Sequence, residues 1–352
     1  PAKVARAIRF EVDAGRNPNI TIKYDEESMR RARALVANDV EVAPINAELR
    51  WINGQVEVRR PETLGRELDL QATIAGVQRA LRDSVESIAV VTRDVQPPVT
   101  AASAGSVQIR DRLSRAQTEY GSSVPNRLHN VELAASRVSG ALVPPGGVFS
   151  FNEAVGPVTF DSGYRTGYGI VGASNGSIST IPSVGGGICQ VATTVFQTAF
   201  WAGMPMIERS WHLYWIPRYG QPPSGMKGLD ATVDPDYGLD FKFRNASNDW
   251  IAVVSSFNGS YLTFELWGTN PGWEVIVDPA VYSSYRPASQ EMVYETSDQL
   301  PSGTSVFVEH AEDGFDAAIH RVVKKDGQVI DDATLVSTYA PARNVTLVGT
   351  GS

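Results

Sequence analysis

The stretch Ser183-Val-Gly185-Gly186-Gly187-Ile188-Cys189-Gln190 runs straight into Val191-Ala-Thr-Thr-Val-Phe-Gln-Thr-Ala-Phe-Trp-Ala202. Ala192, Val195, Phe196, Ala199 and Ala202 recur at helical spacing, and Gly203 with Pro205 supply a stop. The spacing predicts a helix that carries Cys189 in its first turn. There, unpaired backbone N–H groups and the positive end of the helix dipole favour thiolate over thiol. The three preceding glycines suit close approach of a carbonyl substrate and leave backbone donors at Gly187, Ile188 and Gln190 for an oxyanion. These are the parts of an acyl-transfer site, provided that a base is near. The bland alternative is a small cysteine buried as an apolar residue.

The chain has four histidines, His129, His212, His310 and His320. His212 is the expected base, because Ile207-Glu-Arg-Ser-Trp-His-Leu213 suits a strand leaving the cysteine helix and such a unit brings imidazole beside sulfur. His129 is the reserve. Asp230, in Gly228-Leu-Asp-Ala-Thr-Val233, is the expected orienting group, with Asp234, Asp236 and Asn245 as competitors and ordinary turn chemistry as the alternative. Arg209 and Glu208 are candidates to bind substrate charge, Arg through paired N–H donors to a carboxylate. Tyr168, Trp211, Tyr214, Trp215 and Tyr219 are candidates to wall a cleft, against a competing reading as packing. Asp230, Asp234, Asp236 and Asp240 lack the spacing of a calcium loop, and Gly185–Gly187 lacks the Lys-Ser/Thr ending of a phosphate loop. No metal or organic cofactor is expected.

Outward from this centre, the first hundred residues read as a small α+β module. Glu26–Val36 and Leu70–Leu81 have helical periodicity, and Ala47–Trp51 and Gln55–Arg59 alternate around Asn53-Gly54, a two-residue hairpin signal. Ile88–Thr92 reads as an exit strand before Pro97-Pro98. Residues 101–118 are polar and read as a linker. A mixed module at 119–270 ends in an alternating strand through Leu239, Phe241 and Phe243 and a hairpin at Asn258-Gly259. Short β-like runs at Thr304–Glu309, Ala318–Val323 and Asn344–Val348 predict an all-β module at 271–352. The fold class expected is thus α+β and multi-domain, with the cysteine helix packed on a mostly antiparallel sheet.

With 352 residues and 42% hydrophobic content the chain has room for two or three cores. Net charge is −8, with the acidic excess beyond residue 116, which makes nucleic acid a poor partner. No window approaches the roughly 20 apolar residues of a membrane helix, and Pro1 opens without a basic-then-apolar leader, so a signal or anchor is expected to have been removed. One cysteine excludes an internal disulfide and leaves the compartment open.

Pro145-Gly-Gly-Val-Phe-Ser-Phe-Asn152, Gly163-Tyr164, Gly185–Gln190 with Thr193-Thr194, Glu208-Arg209, His212, Gly228–Val233 and Asp240-Phe-Lys-Phe-Arg-Asn245 together resemble the VanW domain, over residues 140–268. Residues 21–100, through Ile45-Asn-Ala47, Gly65-Arg-Glu-Leu-Asp69 and Pro97-Pro-Val-Thr100, are similar to the YoaR-like peptidoglycan-binding module. The tail, with Gly303, Gly314, Gly327, Tyr339 and Val348-Gly349, more loosely resembles a wall-associated β module named for five glycines. The resemblance implies an extracellular cell-envelope protein whose partners are peptidoglycan stem peptides and glycan. For some VanW-domain members it implies L,D-transpeptidase activity with the motif cysteine, here Cys189, as nucleophile. The chain departs from the common pattern at Ala192, where Ser often follows Cys-Gln-Val, at Leu213 after the histidine, and in extra Pro and Gly residues between Tyr219 and Gly228. A wall peptidase or amidase and a non-catalytic wall scaffold are the competing expectations.

Overall fold

A computed structural model describes residues 8–12, 20–24, 36–172 and 178–351, in an α+β architecture of several mostly antiparallel sheets. Two compact units divide the chain: Pro1–Leu49 with Glu57–Ser106, and Arg50–Val56 with Val107–Ser352. Among the described residues no helix is long and apolar enough to cross a membrane.

In the first unit, Ile8–Val12 pairs with Ile20–Tyr24 and Gly65–Leu68 with Thr92–Val95, both antiparallel. The helix Leu70–Arg82 follows its periodicity and is capped by Asp69, whose side chain accepts from the Ala72 amide at 2.9 Å. The expected exit strand starts only at Thr92. Ahead of it, Thr73 Oγ1 accepts from the Val91 amide (3.0 Å) and Val91 O accepts from the Asp69 amide (2.9 Å), so Val91 is tied to the helix rather than to a ladder. The helix expected over Glu26–Val36 lies outside the described residues apart from Val36. The turn at Asn53-Gly54 forms as expected, both residues having positive φ (51° and 82°) between the strands Glu48–Ile52 and Gln55–Arg60.

In the second unit, Asp111–Glu119, Tyr261–Gly268, Ile251–Phe257 and Ala141–Val143 form an antiparallel sheet in that order. The linker expected at 101–118 is therefore overturned in its second half. Ala116 and Thr118 point inward and are buried, a period-two signal hidden by the polar residues between them. The cysteine helix, Ile188–Trp201, lies on this sheet: Ser114 donates to Thr198 O at 2.7 Å, and Thr118 shares a hydroxyl contact with Thr194 at 2.8 Å. The single apolar face expected for this helix understates its burial, because Gln190 through Phe200 are all buried. Its polar residues are placed inside by hydrogen bonds to neighbouring elements rather than by a wet face.

A three-stranded sheet of Met206–Glu208, Lys242–Arg244 and Val148–Ser150 closes the other side. Phe149 stacks on Phe243 (5.0 Å between ring centroids), and Phe241 meets Phe196 of the cysteine helix edge-on (5.6 Å). The strand expected from Leu239 begins only at Lys242. The Asp240 carboxylate accepts from the Asn152 amide (2.9 Å), the Phe241 amide (2.7 Å) and Ser150 Oγ (2.6 Å), which takes that backbone out of the ladder.

The C-terminal segment is all β, as expected. Trp273–Val277, Val281–Arg286, Gly314–Lys325 and Gln328–Tyr339 form one antiparallel sheet, while Asn344–Gly351 pairs with Ser305–Glu309 and, in parallel, with Met292–Pro301. It does not stand apart as an independent module. Arg321, buried, donates to Phe200 O (2.9 Å) and Met204 O (3.0 Å), satisfying carbonyls at the end of the cysteine helix, and Ile319 joins the central core.

Candidate active site

Gly187 ends the approach to the cysteine helix in a left-handed conformation, φ +114°, with no side-chain cap. A Cβ there would lie 2.9 Å from Val131 Cγ2, and one at Gly186 would lie 2.4 Å from the Tyr168 amide nitrogen. The space above Gly186 is thus filled by the strand Thr166–Gly172, and the close approach that the glycines permit there is to the protein's own backbone. The Ile188 amide donates to Gly185 O (3.1 Å) and the Gln190 amide to Gly187 O (3.0 Å), which removes these two expected oxyanion donors. Among the described residues, no backbone acceptor outside the helix takes the Gly187 or Cys189 amide.

Cys189, Thr193 and Gln197 follow at intervals of four, so one face of the helix presents all three. Thr193 Oγ1 donates to Ala231 O (2.8 Å) and accepts from the Ala231 amide (3.1 Å), while Gln197 donates to Leu229 O (2.8 Å) and Tyr219 O (2.7 Å). These bonds pin the loop 229–231 to the helix that carries the cysteine. Thr232 in turn donates its amide to Ser210 O at 2.8 Å, tying the segment before His212 to the same loop.

The result is a continuous chain of side chains. His212 Nδ1 lies 2.5 Å from Asp230 Oδ2, which also accepts the His212 amide at 3.1 Å. With Nδ1 committed, Nε2 is left to face the sulfur, and the His212 ring and the Cys189 thiol lie close enough to shift one another's protonation. The half-buried sulfur also lies 3.4 Å from Thr232 Oγ1 and 3.5 Å from Val233 O. Burial pushes the thiol up, but the proximity and charge of His212 outweigh it and hold Cys189 below the usual thiol value. Burial pushes His212 down, yet its bond to Asp230 and the neighbouring Cys189 raise it to about 9. Both directions favour a thiolate–imidazolium pair.

A second layer fixes the carboxylate. Against the upward push of its burial, His212, Arg209 and Tyr339 hold Asp230 below the ordinary carboxylate range. Arg209 Nη2 donates to Asp230 Oδ1 (3.0 Å) and to Gly228 O (3.0 Å), Nε donates to Asp230 O (2.7 Å), and Nη1 donates to Ser337 Oγ (2.7 Å). The Tyr339 hydroxyl donates to Asp230 Oδ1 as well. Arg209, expected at the substrate, is walled in behind Asp230 with its side chain 4% exposed. Gly228 makes the loop possible: its φ is +92°, and a Cβ would lie 2.7 Å from the Cβ of Ala317.

Residues 126–267 match the family described as "VanW like protein", and residues 2–88 match "Putative peptidoglycan binding domain". This chain carries a VanW-like domain. It is 35% identical over 159 residues to the "Uncharacterized protein YoaR" of Bacillus subtilis, covering 45% of this chain and 48% of that protein. It is 33% identical over 121 residues to the "Vancomycin B-type resistance protein VanW" of Enterococcus faecalis, covering 34% of this chain and 41% of that protein. The aligned parts thus span less than half the length of either relative. The solved G5 domain of IgA1 protease aligns with 24% of this chain and all of its own at 16% identity and a TM-score of 0.13, a likeness too slight to assign a fold.

Within the VanW-like domain the other expected residues separate. Tyr214 and Trp215 are buried, Tyr214 against Thr180 (3.1 Å) and Trp215 against Tyr339 and Phe315, so they pack the C-terminal sheets rather than wall a cleft. Trp211 donates to Thr338 O (2.7 Å). Tyr219 is the aromatic residue at the site, its ring 5.3 Å from that of His212. Tyr168 is half-buried on the strand over Gly186. Glu208 accepts from Lys242 (2.8 Å) and from the Asp240 amide (2.9 Å), which leaves it a structural bond within its sheet. His129 bonds Gly163 O at 2.8 Å, and His320 sits between Asp278 and Asp332; neither serves the sulfur. Of the rivals to Asp230, Asp234 caps the Asp236 amide (3.1 Å) and Asn245 binds Val143 O and Asp249 O. Sequence reading missed Ser337 and Tyr339, which come from a strand more than a hundred residues away, and Thr193 and Gln197, whose fourfold spacing from Cys189 was the available signal.

Proposed function

We propose that the VanW-like domain is a cysteine acyltransferase of L,D-transpeptidase type that joins peptidoglycan stem peptides at the cell wall, outside the cytoplasm. The observation that supports this reading is the half-buried Cys189 sulfur set beside His212, whose ring is held by buried Asp230. The match of residues 2–88 to a peptidoglycan-binding family supports the wall as the place of action.

In this reaction the Cys189 thiolate adds to the carbonyl carbon of the third residue of a donor stem peptide. The carbonyl oxygen takes up the negative charge and is met by the Gly187 and Cys189 amides. The C–N bond to the terminal D-alanine then breaks, and the departing nitrogen takes the proton held on His212 Nε2. A side-chain amine of a second stem attacks the thioester carbon, gives its proton to His212 and releases the thiolate. Asp230 holds one imidazole orientation throughout and stabilises the imidazolium between steps.

Mass analysis of a purified tetrapeptide incubated with the protein tests the reading. The expected products are a cross-linked dimer and free D-alanine. Cys189→Ser is expected to fold and give neither, and His212→Ala to slow the reaction by at least about a hundredfold. Unchanged dimer formation by the serine variant refutes the cysteine mechanism, and tripeptide without dimer reassigns the same site to hydrolysis.

A further inference from the structure

Two arginines that meet at Ser123, one of them against the turn that launches Cys189, have no part in the mechanism above. Arg127 lies on the helix Pro125–Val138, and its Cγ would be 3.1 Å from a Cβ at Gly187, directly against the turn that launches Cys189. Its Nη1 donates to Ser123 Oγ at 2.7 Å, and it lies near Tyr219, whose ring packs on His212. Arg218, next in sequence to Tyr219, donates its own Nη1 to the same Ser123 hydroxyl at 3.4 Å. Two guanidinium groups therefore converge on one neutral oxygen, and among the described residues neither pairs with a carboxylate. The other arginine of the site, Arg209, has its carboxylate in Asp230.

Two like charges held together near a neutral acceptor repel one another, and Arg stays charged under all ordinary conditions. Burial holds Arg127 below the usual guanidinium range, and the charge of Arg218 adds to that push. An anion between them relieves the repulsion and supplies the fork-shaped acceptor that guanidinium groups match.

We propose that Arg127 and Arg218 form a carboxylate subsite that binds the free C-terminal carboxylate of the donor peptide, one residue beyond the bond that Cys189 attacks. This rests on the acyl-transfer reading for the identity of the ligand, though not for the existence of the subsite. It makes the enzyme selective for peptides that end one residue past the scissile bond, and it places the departing D-amino acid between the two arginines.

Two measurements on the intact protein separate the subsite from the activity. The first compares alkylation of Cys189 by iodoacetate, which carries a carboxylate, with alkylation by neutral iodoacetamide. The iodoacetate to iodoacetamide rate ratio is expected to exceed that of a free thiol and to fall by roughly tenfold, the least expected of a lost charge-assisted hydrogen bond, in Arg127→Gln and in Arg218→Gln. An unchanged ratio in both folded variants overturns the subsite; if Arg127→Gln fails to fold, Arg218→Gln alone decides. The second compares a tetrapeptide acid with its C-terminal amide, and the preference for the acid is expected to fall in the same variants. A ratio that responds in the first measurement while neither peptide turns over sinks the transpeptidase reading and leaves the anion subsite standing. Equal turnover of acid and amide by the wild-type protein overturns the assignment of the carboxylate.

Discussion

Replacing Asp230 by Asn keeps the shape of the buried side chain and removes its charge, and the consequence for Cys189 can be worked from the site. Raising an imidazole from 6.5 to about 9 corresponds to roughly 3 kcal/mol in favour of the imidazolium, and Asp230 is the first contributor to that rise. Without it, burial is the dominant influence and His212 falls to its ordinary value or below. At pH 7 the imidazole is then largely neutral and no longer holds the thiolate. A thiol returned to its ordinary value is only a few per cent ionised at that pH, so alkylation of Cys189 should slow by roughly thirtyfold. The assay is the rate of iodoacetamide addition, followed by intact mass from pH 5 to 10. The wild-type protein should show a fast limb that persists below neutral pH, and Asp230→Asn should show a single rise approaching that of a free thiol. A folded Asp230→Asn protein alkylated at the wild-type rate at pH 7 would refute the argument, because the charge behind His212 would then not be what holds the thiolate.

Tyr339→Phe removes one donor from the buried Asp230 carboxylate and keeps the ring packing; it should cost about 1–3 kcal/mol in urea unfolding. Gly228→Ala forces a side chain into a left-handed backbone against Ala317 and should destabilise the second unit by about 1–3 kcal/mol, read as a fall in Tm. Because Asp230 is held below the ordinary carboxylate range, its stabilising contribution is present above that range and lost as pH falls through its folded value. Unfolding free energy should therefore decline below pH ~4, and Asp230→Asn should flatten that acid limb in a pH series of urea melts.

The C-terminal strands bear on the site more directly than their position in the chain suggests. Ser337 and Tyr339 hold the Arg209–Asp230 pair, and Arg321 satisfies the far end of the cysteine helix. Loss of these strands would leave a buried Asp230 with fewer donors and an Arg209 with an unmet N–H, a costly pair of defects in a dry environment. The boundary expected at residue 270 therefore separates two runs of different composition but not two independent bodies.

What could be read from the chain was local. Gly187 and the apolar run beyond it specify where a helix begins, and so place Cys189 in its first turn; Asn53-Gly54 and Gly259 specify their turns by the positive φ they adopt. His212 and Asp230 were legible as residue types, since a cysteine nucleophile needs a base and an orienting group and few candidates exist. Their meeting was decided by Thr193, Gln197 and the Ser210–Thr232 bridge, none of which a spacing rule selects. The roles of the arginines were likewise beyond the reach of local pattern. Arg209 could serve either a substrate or a buried partner until packing enclosed it with Asp230, whereas Arg127 and Arg218, far apart in sequence, acquire a shared purpose only where the fold turns both toward Ser123. Backbone preference acts over a few residues and can be read in order along the chain. Charge and burial act across space, and only the folded arrangement says which charged groups face one another.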